Sequence, residues 1–292
     1  MINKNKTRLP LVQLQTFGNL IGMIFRPKCF FLLSLLLLVS ACGSPAQQNN
    51  SRYIQNSAQE IQSFFRHKII IKKGTQFTNT LALFIEGDGL PWLNETHIAT
   101  NPDPSTPLAF ELMQRYPGPS VYLGRPCYFI RDDSRCHSRY WTSHRYSDEV
   151  VQSLVIVGQE ILKNSNYEKL LLIGHSGGGT LASLMACSFD LPTKLVTLSA
   201  NLDIDAWTQH HKWTKLEGSL NPTYHSQLCP QLTELHFQGD DDDIVPAKLN
   251  LAYFAARKLK PNIIAGASHT NWLQYWEQVL ETLIANLRLK SD

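Results

Sequence analysis

The ten residues Leu170-Leu171-Leu172-Ile173-Gly174-His175-Ser176-Gly177-Gly178-Gly179 constrain the fold of this chain more than any others. An unbroken apolar run ends on a Gly-x-Ser-x-Gly pattern, and a helix-compatible stretch from Thr180 to Ala186 follows. A strand that turns at once into a helix must hold one residue in a strained backbone conformation. Small neighbours on both flanks let the chain pass without clashes, so the turn residue projects alone above the sheet edge. With serine at that point, a hydroxyl faces solvent with a helix N-terminus behind it. The same glycines, in Gly177-Gly178-Gly179-Thr180-Leu181-Ala182, also fit the Gly-x-Gly-x-x-Ala dinucleotide fingerprint. That alternative wants an acid about 20 positions further on. Asp190 comes too early, Asp203 rather late, and Ser176 is left unexplained. A tight turn without chemistry is the third alternative.

The N-terminal segment reads as an export signal. Cys29 to Val39 is almost wholly apolar, preceded by Arg26 and Lys28 and followed by Ser40-Ala41-Cys42. An apolar run of about 11 residues fits a signal core and falls short of the ~20 needed to span a bilayer. Val39-Ser40-Ala41-Cys42 resembles the lipobox of bacterial lipoproteins, in which the cysteine becomes the lipid-bearing first residue; an ordinary cleavable signal is the alternative. Residues 1–41 are thus expected to be the signal, with Met23 an alternative start and Cys42 the lipidation site. The expected location is the bacterial cell envelope, on the outer membrane where there are two. Residues 1–41 hold five of the 27 basic residues and no acid, so the remainder carries 22 basic against 24 acidic residues. The apparent basicity belongs to the targeting segment, and no polybasic face for nucleic acid is left.

The cysteines agree with an oxidising compartment. Cys127 and Cys136 flank a polar stretch and form a plausible loop staple. A zinc pair is the alternative, but neither cysteine has a Cys-x-x-Cys partner, so no metal is expected. Cys187 reads as a buried thiol within an apolar helix, with pairing to Cys229 left open.

Residues 42–57 are polar and read as a flexible tether; residues 58–292 read as one domain. Strands are expected at His67–Lys73, Leu81–Glu86, Ser120–Leu123, Leu170–Gly174, Lys194–Ser199, Thr233–Gln238 and Asn262–Ala265. Helix-period stretches cover Leu108–Arg115, Asp148–Lys163, Gly177–Phe189, Ala247–Lys258 and Trp272–Leu287. Strands alternating with helices, and apolar on both faces, imply an α/β fold with a mostly parallel sheet covered on two sides. The connecting loops then gather at the carboxyl ends of the strands.

The strand, the Gly-His-Ser-Gly-Gly turn and the helix resemble the nucleophile elbow of the α/β-hydrolases, whose members order serine, then an acid, then histidine after successive strands. The resemblance implies that fold and three site residues. Ser176 is the expected nucleophile. The pattern Gly-x-x-Asp-x-x-Val-Pro takes Gly239, Asp242, Val245 and Pro246, making Asp242 the orienting acid and Asp241 the second choice. Ala265-Gly266-Ala267-Ser268-His269-Thr270-Asn271-Trp272 supplies His269 as the base. His175 is expected to pack or bond locally, His236 to alternate into the sheet, and the adjacent His210 and His211 to make a poor metal pair.

An oxyanion needs donors, and the main-chain N–H of Gly177 is one. The second is assigned to Asp88, in Phe84-Ile85-Glu86-Gly87-Asp88-Gly89, where superfamily members often carry His-Gly. A carboxylate beside a developing negative charge would hinder, so the Asp88 side chain is expected to turn away. A plain glycine turn with solvated acids is the alternative.

Five further segments, residues 85–92, 123–127, 139–142, 199–203 and 218–222, are similar to those of a group of bacterial envelope (lipoprotein) serine hydrolases. This likeness adds little about substrate; the triad implied by the hydrolase resemblance suits a small-molecule acyl substrate, an ester or thioester first and an amide or peptide second, and no cofactor. A non-catalytic binding lipoprotein on the same scaffold is the competing class. Two loop insertions near the site, 124–146 and 201–230, are aromatic-rich. Arg125, Arg131, Arg135, Arg139 and Arg145 in the first are expected to be solvated loop charges, with binding of an anionic substrate group the alternative.

Overall fold

Apolar rows run straight across the middle of the molecule: Leu83 lies opposite Val121 on one side and Leu172 on the other, and Leu172 lies opposite Leu195. All four are buried. Successive residues of a strand point to opposite faces, and here both faces are covered, which is why Leu170 to Ile173 show no polar alternation. The computed structural model describes residues 45–288 apart from 77, 131 and 164. The expected signal, Cys42 and Arg131 lie outside the described residues.

The strands are β1 (Gln59–Gln62), β2 (Arg66–Lys72), β3 (Thr80–Ile85), β4 (Ser120–Leu123), β5 (Lys169–His175), β6 (Thr193–Leu198), β7 (Leu232–Gly239) and β8 (Asn262–Ile264). They form one sheet in the order β1-β2-β4-β3-β5-β6-β7-β8. β1 and β2, and β2 and β4, are antiparallel; every other pair is parallel. The helices are α1 (Pro45–Ser57), α2 (Leu108–Arg115), α3 (Asp148–Lys163), α4 (Gly177–Met185), α5 (Ile204–His211), α6 (Pro222–His225), α7 (Leu251–Arg257) and α8 (Trp276–Arg288).

The connection from β3 through α2 to β4 runs one way along the sheet, and that from β4 through α3 to β5 runs back over β3. Right-handed crossovers in opposite directions put their helices on opposite faces. The reversal leaves a crevice outside the carboxyl ends of β3 and β5, where open α/β sheets place their sites.

Several elements differ from the sequence reading. Residues 45–57 form a helix rather than part of a free tether. Ile54 is fully buried, the Tyr53 ring lies 6.0 Å from that of Phe110, and the Ser51 hydroxyl donates to the Pro104 carbonyl at 2.8 Å. One apolar pin in a polar stretch seats it without changing its average composition. β1, with Ile61 as its single large apolar residue, is an edge strand that composition does not mark. The expected helix 247–258 breaks into a 3₁₀ turn and α7. At the break, the buried Asn250 amide accepts from the Leu202 N–H and donates to the Ala200 carbonyl. In the second insertion, α5 is capped by Asp203, which accepts from the Ala206 N–H, and α6 by Asn221, which accepts from the Thr223 N–H.

Cys127 is bonded to Cys136, and Cys187 to Cys229 rather than standing as a free thiol. The sequence separations are 9 and 42 residues, for which loop closure in the unfolded chain corresponds to about 3 and about 4 kcal/mol. Replacing both Cys187 and Cys229 by Ser should therefore lower the unfolding free energy in urea more than replacing both Cys127 and Cys136. The reverse order would contradict a stabilisation governed by loop length.

Candidate active site

β5 ends at His175, and the next residue enters a conformation that side-chain-bearing residues avoid: Ser176 has φ 53° and ψ −125°. Its N–H is held by the Leu198 carbonyl of β6 at 2.9 Å, and its carbonyl accepts from the N–H groups of Gly179 and Thr180. The turn is tight enough that a Cβ on Gly174 would stand 2.3 Å from the Gly178 oxygen, so glycine is required there. The serine hydroxyl is left projecting from the crevice.

Two loops from the far half of the sheet bring partners to it. The loop after β8 carries His269 and is knitted by Asn271 Oδ1 accepting from the Ser268 N–H and Asp240 accepting from the Gly266 N–H. His269 Nε2 lies 3.0 Å from Ser176 Oγ. Its Nδ1 lies 3.0 and 3.1 Å from the two Asp242 carboxylate oxygens. A carboxylate only accepts, so Nδ1 carries the proton and Nε2 presents its lone pair to the serine.

Asp242 follows β7 and is buried. Burial alone would raise its pKa. Hydrogen bonds from His269, Ser199 and the Val245 N–H outweigh that effect and hold it below the ordinary carboxylate value. Asp241, the second choice, is exposed, and its N–H bonds the Ala267 carbonyl. Three expected residues far apart in sequence thus form one hydrogen-bonded chain, Asp242–His269–Ser176.

Supporting residues escaped the sequence reading. Ser199, at φ 47°, bonds Asp242 and accepts from Trp272 Nε1 at 3.0 Å. His175 is buried, and its Nε2–H donates to the carbonyl of His269 at 2.7 Å, tying the loop of the base to the elbow. Burial, reinforced by the neighbouring His269, pushes its pKa down to about 3, so the ring is neutral. The first signal available for His175 was its place beside the serine. His236 sits in the sheet as expected, between Thr197 and Glu234.

The N–H groups of Gly177 and Asp88 have no hydrogen-bond acceptor among the described residues. Around Asp88 one expectation needs correcting. The Asp88 carboxylate lies against the α-carbon of Gly177, in a largely enclosed cluster. Arg125 and Arg145 are buried rather than solvated, and both pair with that carboxylate, at 2.6 and 3.0 Å. The other described arginines of the insertion do stay at the surface: Arg135 pairs with Asp133, and Arg139 stacks over Tyr140 at 4.6 Å. The aromatics Tyr128, Phe129, Tyr140 and Trp141 belong to the main core.

Glu86, beside Asp88, has a different fate. Its buried carboxyl accepts from the N–H groups of Gly87 and Ala109 and so caps the start of α2. Burial pushes its pKa up to about 7, against the pull of those N–H bonds.

No protein-family model and no curated relative matches the chain. Solved structures are similar in fold. An alpha-beta serine hydrolase homologue from Coxiella burnetii is 16% identical with a TM-score of 0.52, over 80% of this chain and 97% of that one. A lidless member of the α/β serine hydrolases from Xanthomonas campestris is 13% identical with a TM-score of 0.50, over 80% and 94%. The alpha/beta hydrolase domain-containing protein 10 from mouse is 16% identical with a TM-score of 0.50, over 81% and 100%. The chain has the α/β-hydrolase fold.

Glu86 offers a test of the site's electrostatics. Its folded pKa of about 7 exceeds its ordinary 4.5, so between those values the folded state keeps a proton that the unfolded state releases. This group's contribution is fully present below pH 4.5 and is lost as pH rises through 7. Glu86→Gln removes the dependence. The melting temperature of the variant relative to wild type should rise between pH 5 and pH 8; a difference that does not change with pH would refute the buried carboxyl's raised pKa.

Proposed function

We propose that the protein is a serine hydrolase acting on a small acyl substrate through a covalent acyl-enzyme. The observation that carries this reading is the unbroken relay of Asp242, His269 and Ser176, with hydrogen bonds of 3.0 Å on either side of the imidazole. Serine is inert without a base within reach, and the base needs an orienting acid. The fold shared with serine hydrolases of known structure is consistent with it.

The steps follow from the geometry. Ser176 Oγ attacks the substrate carbonyl carbon while its proton passes to His269 Nε2. The carbonyl π pair moves onto oxygen, and the oxyanion is held by the Gly177 and Asp88 N–H groups, each worth about 3 kcal/mol in comparable sites. Asp242 stabilises the imidazolium without taking its proton. Collapse expels the alcohol or thiol, which leaves with the proton from His269. Water then repeats the sequence on the acyl-enzyme and frees the acid. Esters or thioesters are the proposed substrates, since the leaving group needs little help beyond one proton. The same relay cleaves amides, so the leaving group is a matter for measurement.

We also propose that the protein is exported and lipid-anchored at Cys42. This reading is supported by the apolar run Cys29–Val39, the Ser40-Ala41-Cys42 sequence, and two disulfides suited to an oxidising compartment. Metabolic labelling with a fatty acid should mark the wild type and not Cys42→Ser; equal labelling of both would contradict the anchor.

The enzymatic reading is tested with a fluorophosphonate probe and a p-nitrophenyl ester series of increasing chain length. Wild type should label and turn over. Ser176→Ala should lose labelling and on the order of 10⁴- to 10⁶-fold in kcat, and Asp242→Asn about 10⁴-fold. Folded wild type that neither labels nor hydrolyses any of the series would favour a binding protein instead.

A further inference from the structure

We infer that Arg125, Arg145, Tyr146 and Tyr128 are positioning residues that fix the Asp88 N–H as an oxyanion donor, with the Asp88 carboxylate as their common anchor. The inference rests on the serine hydrolase reading and deepens it. Asp88 offers four polar groups, two carboxylate oxygens, a main-chain carbonyl and an N–H, and the protein takes up all but the N–H. One carboxylate oxygen accepts from Arg125 Nη1 at 2.6 Å. The other accepts from Arg145 Nη1 at 3.0 Å and from the Tyr146 hydroxyl at 2.5 Å. The main-chain carbonyl accepts from the Tyr128 hydroxyl at 2.8 Å. With side chain and carbonyl both tied, the orientation of the residue is set, and its N–H remains without a protein acceptor among the described residues.

The anchor also joins the two donors. A Cβ on Gly177 would stand 2.1 Å from an Asp88 carboxylate oxygen and 2.7 Å from the Tyr146 hydroxyl. Residue 177 must therefore be glycine for the Asp88 carboxylate to lie where it does. The side chain of one donor residue thus rests on the backbone of the other.

A carboxylate next to a developing oxyanion would oppose catalysis if its charge were bare. Two buried guanidiniums face it. Burial would raise the Asp88 pKa, but Arg145 and Arg125 outweigh burial and hold it far below the ordinary carboxylate range. The arginines are themselves fixed: Arg125 Nη2 donates to the Arg145 carbonyl, and Arg145 Nε donates to the Thr142 carbonyl. Arg125 stacks over the rings of Tyr128 and Tyr146, at 4.9 and 5.7 Å from their centroids. Tyr128 is framed by Cys127 at φ 70° and Phe129 at φ 59°, two left-handed residues in the segment closed by the Cys127–Cys136 bond. Strained non-glycine backbone of this kind persists where the surroundings over-determine it.

The test uses the full-length protein and three readouts: p-nitrophenyl ester kinetics, inhibition by an alkyl boronic acid that forms a tetrahedral adduct on serine, and thermal unfolding. Tyr146→Phe deletes one hydroxyl and leaves the ring. It should lower kcat about ten- to a hundredfold with KM nearly unchanged, because the donor acts on the transition state. Boronic acid affinity should fall in parallel, while fluorophosphonate-competent protein stays folded. Arg145→Lys, which keeps one charge, should lose less than Arg145→Gln. If Tyr146→Phe does not fold, Tyr128→Phe provides the same reading through the Asp88 carbonyl. Folded Tyr146→Phe or Tyr128→Phe with wild-type kcat and wild-type boronic acid affinity overturns the positioning role alone. Wild type that neither labels with fluorophosphonate nor turns over overturns the hydrolase reading, and this inference with it.

Discussion

Everything at the site is built around the backbone of one residue. Ser176 is held at φ 53° by β5 behind it, by β6 through the Leu198 carbonyl, and by the first turn of α4 through Gly179 and Thr180. A non-glycine residue in such a conformation costs on the order of 1–3 kcal/mol. The cost is borne because β5 is paired in parallel on both sides, with β3 from Lys169 to Gly174 and with β6 from Leu170 to His175, and Leu170 to Ile173 are buried. The rigidity of the central sheet is what lets a short turn stay strained. With the serine fixed, partners carried by the loops after β7 and β8 need only small, local ties to come within 3.0 Å of it or of each other.

Asp242, Asp88, Glu86 and His175 lie about this crevice, and each is settled in a different way. Asp242 is kept ionised by hydrogen bonds from His269, Ser199 and main-chain N–H. Asp88 is kept ionised by two arginines. Glu86 has main-chain donors and only a distant cation, and its pKa is raised. His175, buried beside His269, stays neutral and serves as a donor to the His269 carbonyl. The imidazole between Asp242 and Ser176 is thus left as the group with a carboxylate on one nitrogen and a hydroxyl on the other. That division of protonation states is what the proposed chemistry requires.

Much of the frame was legible in the sequence, for physical reasons. β4, α2 and α3 have the expected bounds, because their apolar periodicity follows from burial and little else competes. Ser176, Asp242 and His269 could be read because each sits at a strand end marked by small residues. What escaped was whatever depends on a partner from elsewhere in the fold. Arg125 and Arg145 look like surface charges until Asp88 is brought to them. Ser199 and Trp272 look like strand-end and helix-start residues until Asp242 lies between them and the base. Residues 45–57 look like a tether because one buried Ile54 is invisible in a polar average. The helix bounds moved at Asn250, whose side chain bonds the loop after β6 through Ala200 and Leu202.

In the proposed acylation of Ser176, negative charge collects between the Gly177 and Asp88 N–H groups. A crystal structure of the protein phosphonylated on serine, whose tetrahedral phosphorus mimics the intermediate, tests this. The expected result is a covalent bond to Ser176 Oγ and one phosphoryl oxygen about 2.7–3.1 Å from both the Gly177 and the Asp88 nitrogen. An adduct on another residue, or one on Ser176 with its phosphoryl oxygen pointing to solvent and Asp88 N–H bonded elsewhere, would contradict it.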